Sequence, residues 1–141
     1  IGMSMDTTRA QMTQAVFEGV TFALRDSMEV AKQLGIAVKK TKLCGGGAKS
    51  PLWRTMVANI LNIDVEILQA EEGPGYGGAM LAAVACGAYP SVQACAEALV
   101  HAKSTTQPDA ALVEKYNARY AVWRKLYPAL KVSFAEMEAL Q

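Results

Sequence analysis

Leu43-Cys44-Gly45-Gly46-Gly47-Ala48-Lys49-Ser50-Pro51 decides how this chain is read. Before it, Val38 to Cys44 has the length and character of a short strand. After it, Ser50 and Pro51 are a helix start: the Ser hydroxyl caps free backbone N–H groups, and Pro has no N–H to leave unpaired. The apolar residues then fall in two adjoining stripes, Leu52, Met56 and Ile60 beside Trp53, Val57 and Leu61. A glycine turn between a strand and a helix lets backbone approach a flat or charged ligand, and the helix start that follows favours anions. In open α/β sheets, ligands sit beyond the carboxyl ends of the strands, where this turn falls. From these residues alone, a tight turn and a ligand loop remain equal alternatives.

Two phosphate loops fail the spacing test. A P-loop needs G-x-x-x-x-G-K-[ST]; Lys49-Ser50 fit, but Leu43 and Ala48 stand where glycines are required. The dinucleotide fingerprint G-x-G-x-x-G accepts Gly45 and Gly47 but meets Ser50 at its third glycine. Counted from Gly75 and Gly77, the fingerprint fails as well, with Met80 at its third glycine.

Outward from the turn, Thr8 to Leu34 reads as one long helix stopped by Gly35. Its apolar face, with Ala15, Gly19, Phe22, Leu24 and Met28, is broad, as in helices buried on more than one side. Downstream, Asn62 ends the second helix, and Asp64 to Leu68 alternates as a strand. Glu71 to Gly75 reads as a loop. A helix of small residues runs from about Tyr76 to Cys86, with Gly77 and Gly78 near its start and a stop at Gly87. Ser91 caps a short helix to about Val100, and Asp109 caps another to about Tyr127, ended by Pro128. Ser133 to Glu136 resembles a capping box opening a last helix. Alternating α and β elements predict an α/β layered domain, yet two strands make a poor sheet, so further strands are expected upstream.

Composition narrows the class. The chain has 141 residues, 52% hydrophobic and 19% charged, with a net charge of +1. That fits one globular domain. It gives no field for capturing nucleic acid or an anionic membrane. No apolar run approaches the ~20 residues a bilayer crossing needs. Cys44, Cys86 and Cys95 lack CxxC spacing and read as reduced, buried, small hydrophobes in a cytoplasmic setting. His101 reads as a surface or capping residue. Trp53, Trp123, Tyr120 and Tyr127 read as packing aromatics before sugar-stacking ones. Ile1 is no initiator, and Ile1-Gly2-Met3-Ser4 reads like loop interior, so a piece of a longer chain is expected.

The segment Gly45-Gly46-Gly47-Ala48-Lys49-Ser50-Pro51-Leu52-Trp53 resembles the adenosine motif of the FGGY carbohydrate kinases, and most resembles that of the xylulose kinases among them. Other segments follow in register: Thr7-Thr8-Arg9-Ala10, Ala15 to Val20, Glu71 to Ala79, Ala83 to Gly87, Tyr116-Asn117 and Tyr127-Pro128. The resemblance covers roughly residues 1 to 130, with 131 to 141 a tail outside it.

The resemblance implies part of the actin- and hexokinase-like ATPase fold: the helix-rich C-terminal, ATP-binding domain with a few strands. It implies that Gly45, Gly46, Gly47, Lys49 and Ser50 bind ATP. Lys49 remains open between a phosphate contact and a solvated helix start. Gly77 and Gly78 would let their helix pack close to the site, and Glu18 would orient backbone there or lie in a polar interface. It further implies Mg²⁺ carried by ATP, D-xylulose as acceptor in the intact enzyme, and a missing N-terminal domain holding the catalytic Asp and the sugar contacts. Asp6, Asp26, Asp64 and Asp109 do not match that catalytic position, so no kinase activity is expected of this piece alone. A related pentulose or glycerol kinase, or a structural remnant pairing two copies, remains an alternative.

Overall fold

The computed structural model describes residues 1–69 and 73–140. Helix α1 spans Arg9–Gln33 and opens with a reciprocal cap. The Gln11 N–H donates to Thr8 Oγ1 (3.2 Å) while Gln11 Oε1 accepts from the Thr8 N–H (2.8 Å). Strand β1 is Lys40–Leu43 and helix α2 is Pro51–Leu61. Asn62 ends α2 in the left-handed conformation at φ 53°. Strand β2, Asp64–Leu68, then pairs parallel to β1 with Lys40 opposite Asp64 and Leu43 opposite Ile67. Parallel neighbours need a crossover, and α2 supplies it.

Helix α3 is Gly73–Ala85, α4 is Val92–Leu99 and strand β3 is Ala102–Thr106. The sheet order is β1-β2-β3, with β3 antiparallel to β2. Helices α5, Ala110–Trp123, and α6, Leu126–Glu138, complete the chain.

The core gathers on α2. Met56 through Leu61 are all buried, joined by Ile63 and Val65 after the helix. Helix α1 adds Phe22, whose ring lies 6.3 Å from Tyr116 and 5.7 Å from both Tyr120 and Trp123 on α5. Buried Asn59 accepts the Asp109 N–H at 2.7 Å, fixing the start of α5 against α2. A polar seam runs beside these rings. Glu18 accepts from Arg119 at 2.6 Å and Gln14 at 2.7 Å, while Arg25 donates to Asn117 at 2.7 Å. Tyr120 donates to Asp26 under the Arg25 guanidinium, which sits 4.3 Å over the Tyr120 ring. Burial first, then the Asp26 carboxylate, push the Tyr120 phenol up to about 12.

Several expectations need correction. The sheet has a third strand in this chain; β3 went unread because Ala102–Thr106 is short, mostly exposed and lacks apolar alternation. The broad apolar face of α1 is not covered on several sides: only Thr21 and Phe22 are buried, and Val16, Val20 and Leu24 are exposed. Helix α3 begins at Gly73, so Gly73 to Gly75 are helical; residues 71 and 72 of the expected loop lie outside the described residues. Pro128 does not end a helix but lies in the first turn of α6, where its missing N–H costs no intrahelical bond. Ser133 to Glu136 therefore lie inside α6 and cap nothing. Of the cysteines, only Cys95 is buried. Tyr127 is exposed, while Trp53, Trp123 and Tyr120 pack as read.

Candidate functional site

Chain direction places the glycine turn. Strands β1 and β2 are parallel, so their carboxyl ends lie side by side, and the chain leaves β1 through Cys44 and Gly45. Gly45 adopts φ 82° and ψ −176°, a region essentially closed to residues with a Cβ. Gly46–Lys49 then forms one 3₁₀ turn, with the Ala48 N–H on Gly45 O (3.1 Å) and the Ser50 N–H on Gly47 O (3.0 Å). Ser50 Oγ caps α2 by accepting the Trp53 N–H at 3.3 Å. Trp53 in turn stacks edge-on against Phe17, ring centroids 5.5 Å apart, and Ala48 is buried. The turn is thus pinned on its protein side.

The three glycines differ in what they do. A Cβ at Gly47 would meet the Trp53 ring at 3.4 Å, ordinary contact. A Cβ at Gly46 would meet nothing within 4 Å. Gly45 is required by its backbone, and Gly46 leaves open space.

That space is a cavity of about 600 Å³. Leu43, Ile67 and Leu68 at the strand ends give it an apolar wall. Gly45, Gly46 and Ala48 form the rim from the turn. Three cationic side chains line it from separate elements: Lys49 from the turn, Arg54 from α2 and Lys103 from β3. Lys49 is already engaged within the chain. Arg54 Nε is buried without a hydrogen-bond partner. A buried donor left unmade costs ~1–3 kcal/mol, so the residues present fit a ligand that brings acceptor oxygens.

Of the five residues expected at a site, the structure brings Gly45, Gly46 and Lys49 onto the cavity, while Gly47 packs on Trp53 and Ser50 serves as a cap. Gly77 and Gly78 do not line it, and nothing lies within 4 Å of a Cβ at either. Glu18 lies in the α1–α5 seam. Asp26 and Asp109 are spent on Tyr120 and on the α5 cap. Arg54 and Lys103 were missed. A cation four residues after the capping Ser50 was a usable signal for Arg54; Lys103 had none, because its strand was not read. No cluster that could hold a metal ion is present among the described residues.

A parallel β-α-β unit with a glycine turn over a cavity at the carboxyl ends of its strands occupies the position where open α/β sheets place ligands. The sequence profile of the FGGY family of carbohydrate kinases, C-terminal domain, matches residues 1–86. The chain belongs to that family. Its relatives include xylulose kinase of Staphylococcus epidermidis, 33% identical over 97% of this chain and 28% of the relative. Xylulose kinase of Bacillus subtilis is 36% identical over 93% of this chain and 26% of its own length. The crystal structure of xylulose kinase from Rhodospirillum rubrum superposes with a TM-score of 0.82 at 29% identity, covering 96% of this chain and 28% of that one. The chain therefore spans little more than a quarter of the length of the relatives it matches. The fold is the C-terminal part of the actin- and hexokinase-like ATPase fold.

Proposed function

We propose that this chain forms the nucleotide-binding part of an ATP-dependent carbohydrate kinase that phosphorylates D-xylulose to D-xylulose 5-phosphate. The observation that carries the reading is the cavity at the carboxyl ends of β1 and β2, open over Gly46 and holding the unpartnered Arg54 Nε. Bound MgATP supplies the transferable phosphoryl group, and its phosphates carry the Mg²⁺. In this reading Gly45 and Gly46 let the turn backbone lie against the nucleotide, with Gly47 packed behind them on Trp53. Lys49 and Ser50 border it at the start of α2. Leu43, Ile67 and Leu68 shield the apolar part from water.

D-Xylulose as acceptor rests on the names of the relatives, since no residue of this chain is assigned to the sugar. The carboxylate that takes the hydroxyl proton is likewise assigned to no residue here, and the isolated chain is expected to be inactive. Exposed free thiols at Cys44 and Cys86 suit a reducing cytoplasm. No described helix is long and apolar enough to cross a membrane.

The test is an amide NMR titration of this chain with MgATP, and with MgGTP as control. The expected result is a set of shifts confined to Gly45–Ser50 and the neighbouring cavity wall, with ATP preferred. A well-dispersed spectrum unchanged at millimolar MgATP would overturn nucleotide binding by this chain.

A further inference from the structure

Strand β3 carries an irregularity at the cavity. Along β2, Glu66, Ile67 and Leu68 are consecutive, and their partners on β3 are Thr105, Ser104 and Ala102. Lys103 has no partner opposite it and is the extra residue of a β-bulge. In a regular strand, neighbours point to opposite faces of the sheet. Here Lys103 and Ser104 both line the cavity. Bulges re-aim side chains in this way and recur beside functional sites. The same cavity is lined by Arg54, with its buried and unpartnered Nε.

We propose that the β3 bulge turns Lys103 onto the cavity so that it and Arg54 together hold the phosphate groups of a nucleoside di- or triphosphate. The two cations come to the cavity from different elements, α2 and β3, while the turn at Gly45 and Gly46 supplies backbone. Ile67 and Leu68, which also line the cavity, are apolar and bring no charge to it. No acidic side chain lines the cavity among the described residues. This inference rests on the nucleotide reading above and assigns the phosphate end within it.

The test uses isothermal titration of the 141-residue chain with MgADP and with adenosine. One charge-assisted contact corresponds to about a tenfold change in affinity. Lys103→Gln is expected to weaken MgADP about tenfold and leave adenosine unchanged, and Lys103→Arg to restore most of the loss. Deleting Lys103, which regularises the strand, is expected to reproduce the MgADP loss while the amide spectrum of β2 stays dispersed. Equal losses for MgADP and adenosine would make Lys103 a structural residue and overturn the proposal. So would unchanged MgADP binding in Lys103→Gln. If the unaltered chain binds neither compound, the nucleotide reading itself falls and takes this inference with it.

Discussion

Helices α2 and α3 start alike and end differently. Each follows a strand in chain order, and each is rich in apolar residues. Yet Met56 through Leu61 of α2 are all buried, and α3 has no buried residue. The difference lies in partners. Helix α2 is held by α1 on one side, α5 on another and the sheet beneath. Helix α3 leans chiefly on α4, through the Tyr76 hydroxyl on Leu99 O (3.0 Å) and the Cys95 thiol on Met80 O (3.8 Å). Apolar composition makes a helix able to be buried; only neighbours bury it.

The comparison breaks most visibly at its centre. Ile60 is 0% exposed, and Ile60→Ala is expected to cost ~2–5 kcal/mol through lost burial and the cavity left behind. Leu81 on α3 is 58% exposed, and Leu81→Ala is expected to change stability by less than ~0.5 kcal/mol. Urea denaturation of both variants reads the difference directly. A cost at Leu81 comparable to that at Ile60 would mean that α3 is buried in solution, for instance against a second copy.

A smaller effect separates two adjacent glycines. Gly45→Ala is expected to cost ~1–3 kcal/mol, because its φ 82° and ψ −176° conformation excludes a Cβ. Gly46→Ala lies in open space and is expected to leave the urea midpoint unchanged while weakening MgATP. A stability loss at Gly46 equal to that at Gly45 would show that both positions serve the turn and neither the cavity.

These contrasts also mark what could be read from the chain. The caps at Ser50, Ser91 and Asp109, the stops at Gly35 and Asn62, and strand β2 all follow from one or two residues with strong local preferences. Errors came where tertiary contact overrides such preferences. Pro128 is compatible with either the end or the first turn of a helix, and only the break at Arg124-Lys125 decides. The apolar face of α1 predicts burial whatever neighbours exist. At the site, the glycines announced the turn, but its cations come from two other elements. Arg54 depends on the direction of α2, and Lys103 on a bulge in an edge strand with no apolar alternation. Neither leaves a periodic trace in the sequence.

The last test asks how firmly the α1–α5 seam closes the α2 core from outside. Tyr120 in the folded chain titrates near 12, raised from 10.0 by burial and then by Asp26. Its folded pKa exceeds the unfolded one, so the unfolded chain loses the phenol proton first. The contribution is complete below pH 10 and is lost as pH rises from about 10 through about 12. Tyr120→Phe removes both the proton and the bond to Asp26. At pH 8 the variant is expected to be less stable by about 1 kcal/mol, the worth of one hydrogen bond. Between pH 10 and 12 the gap between the two proteins should close, because only the parent loses stability as Tyr120 ionises. Urea midpoints measured at pH 8 and at pH 11 give that difference with the other titrating groups cancelled. A constant gap would mean that the phenol ionises at the same pH in the folded and unfolded chains, so that the seam neither buries it nor holds it against Asp26.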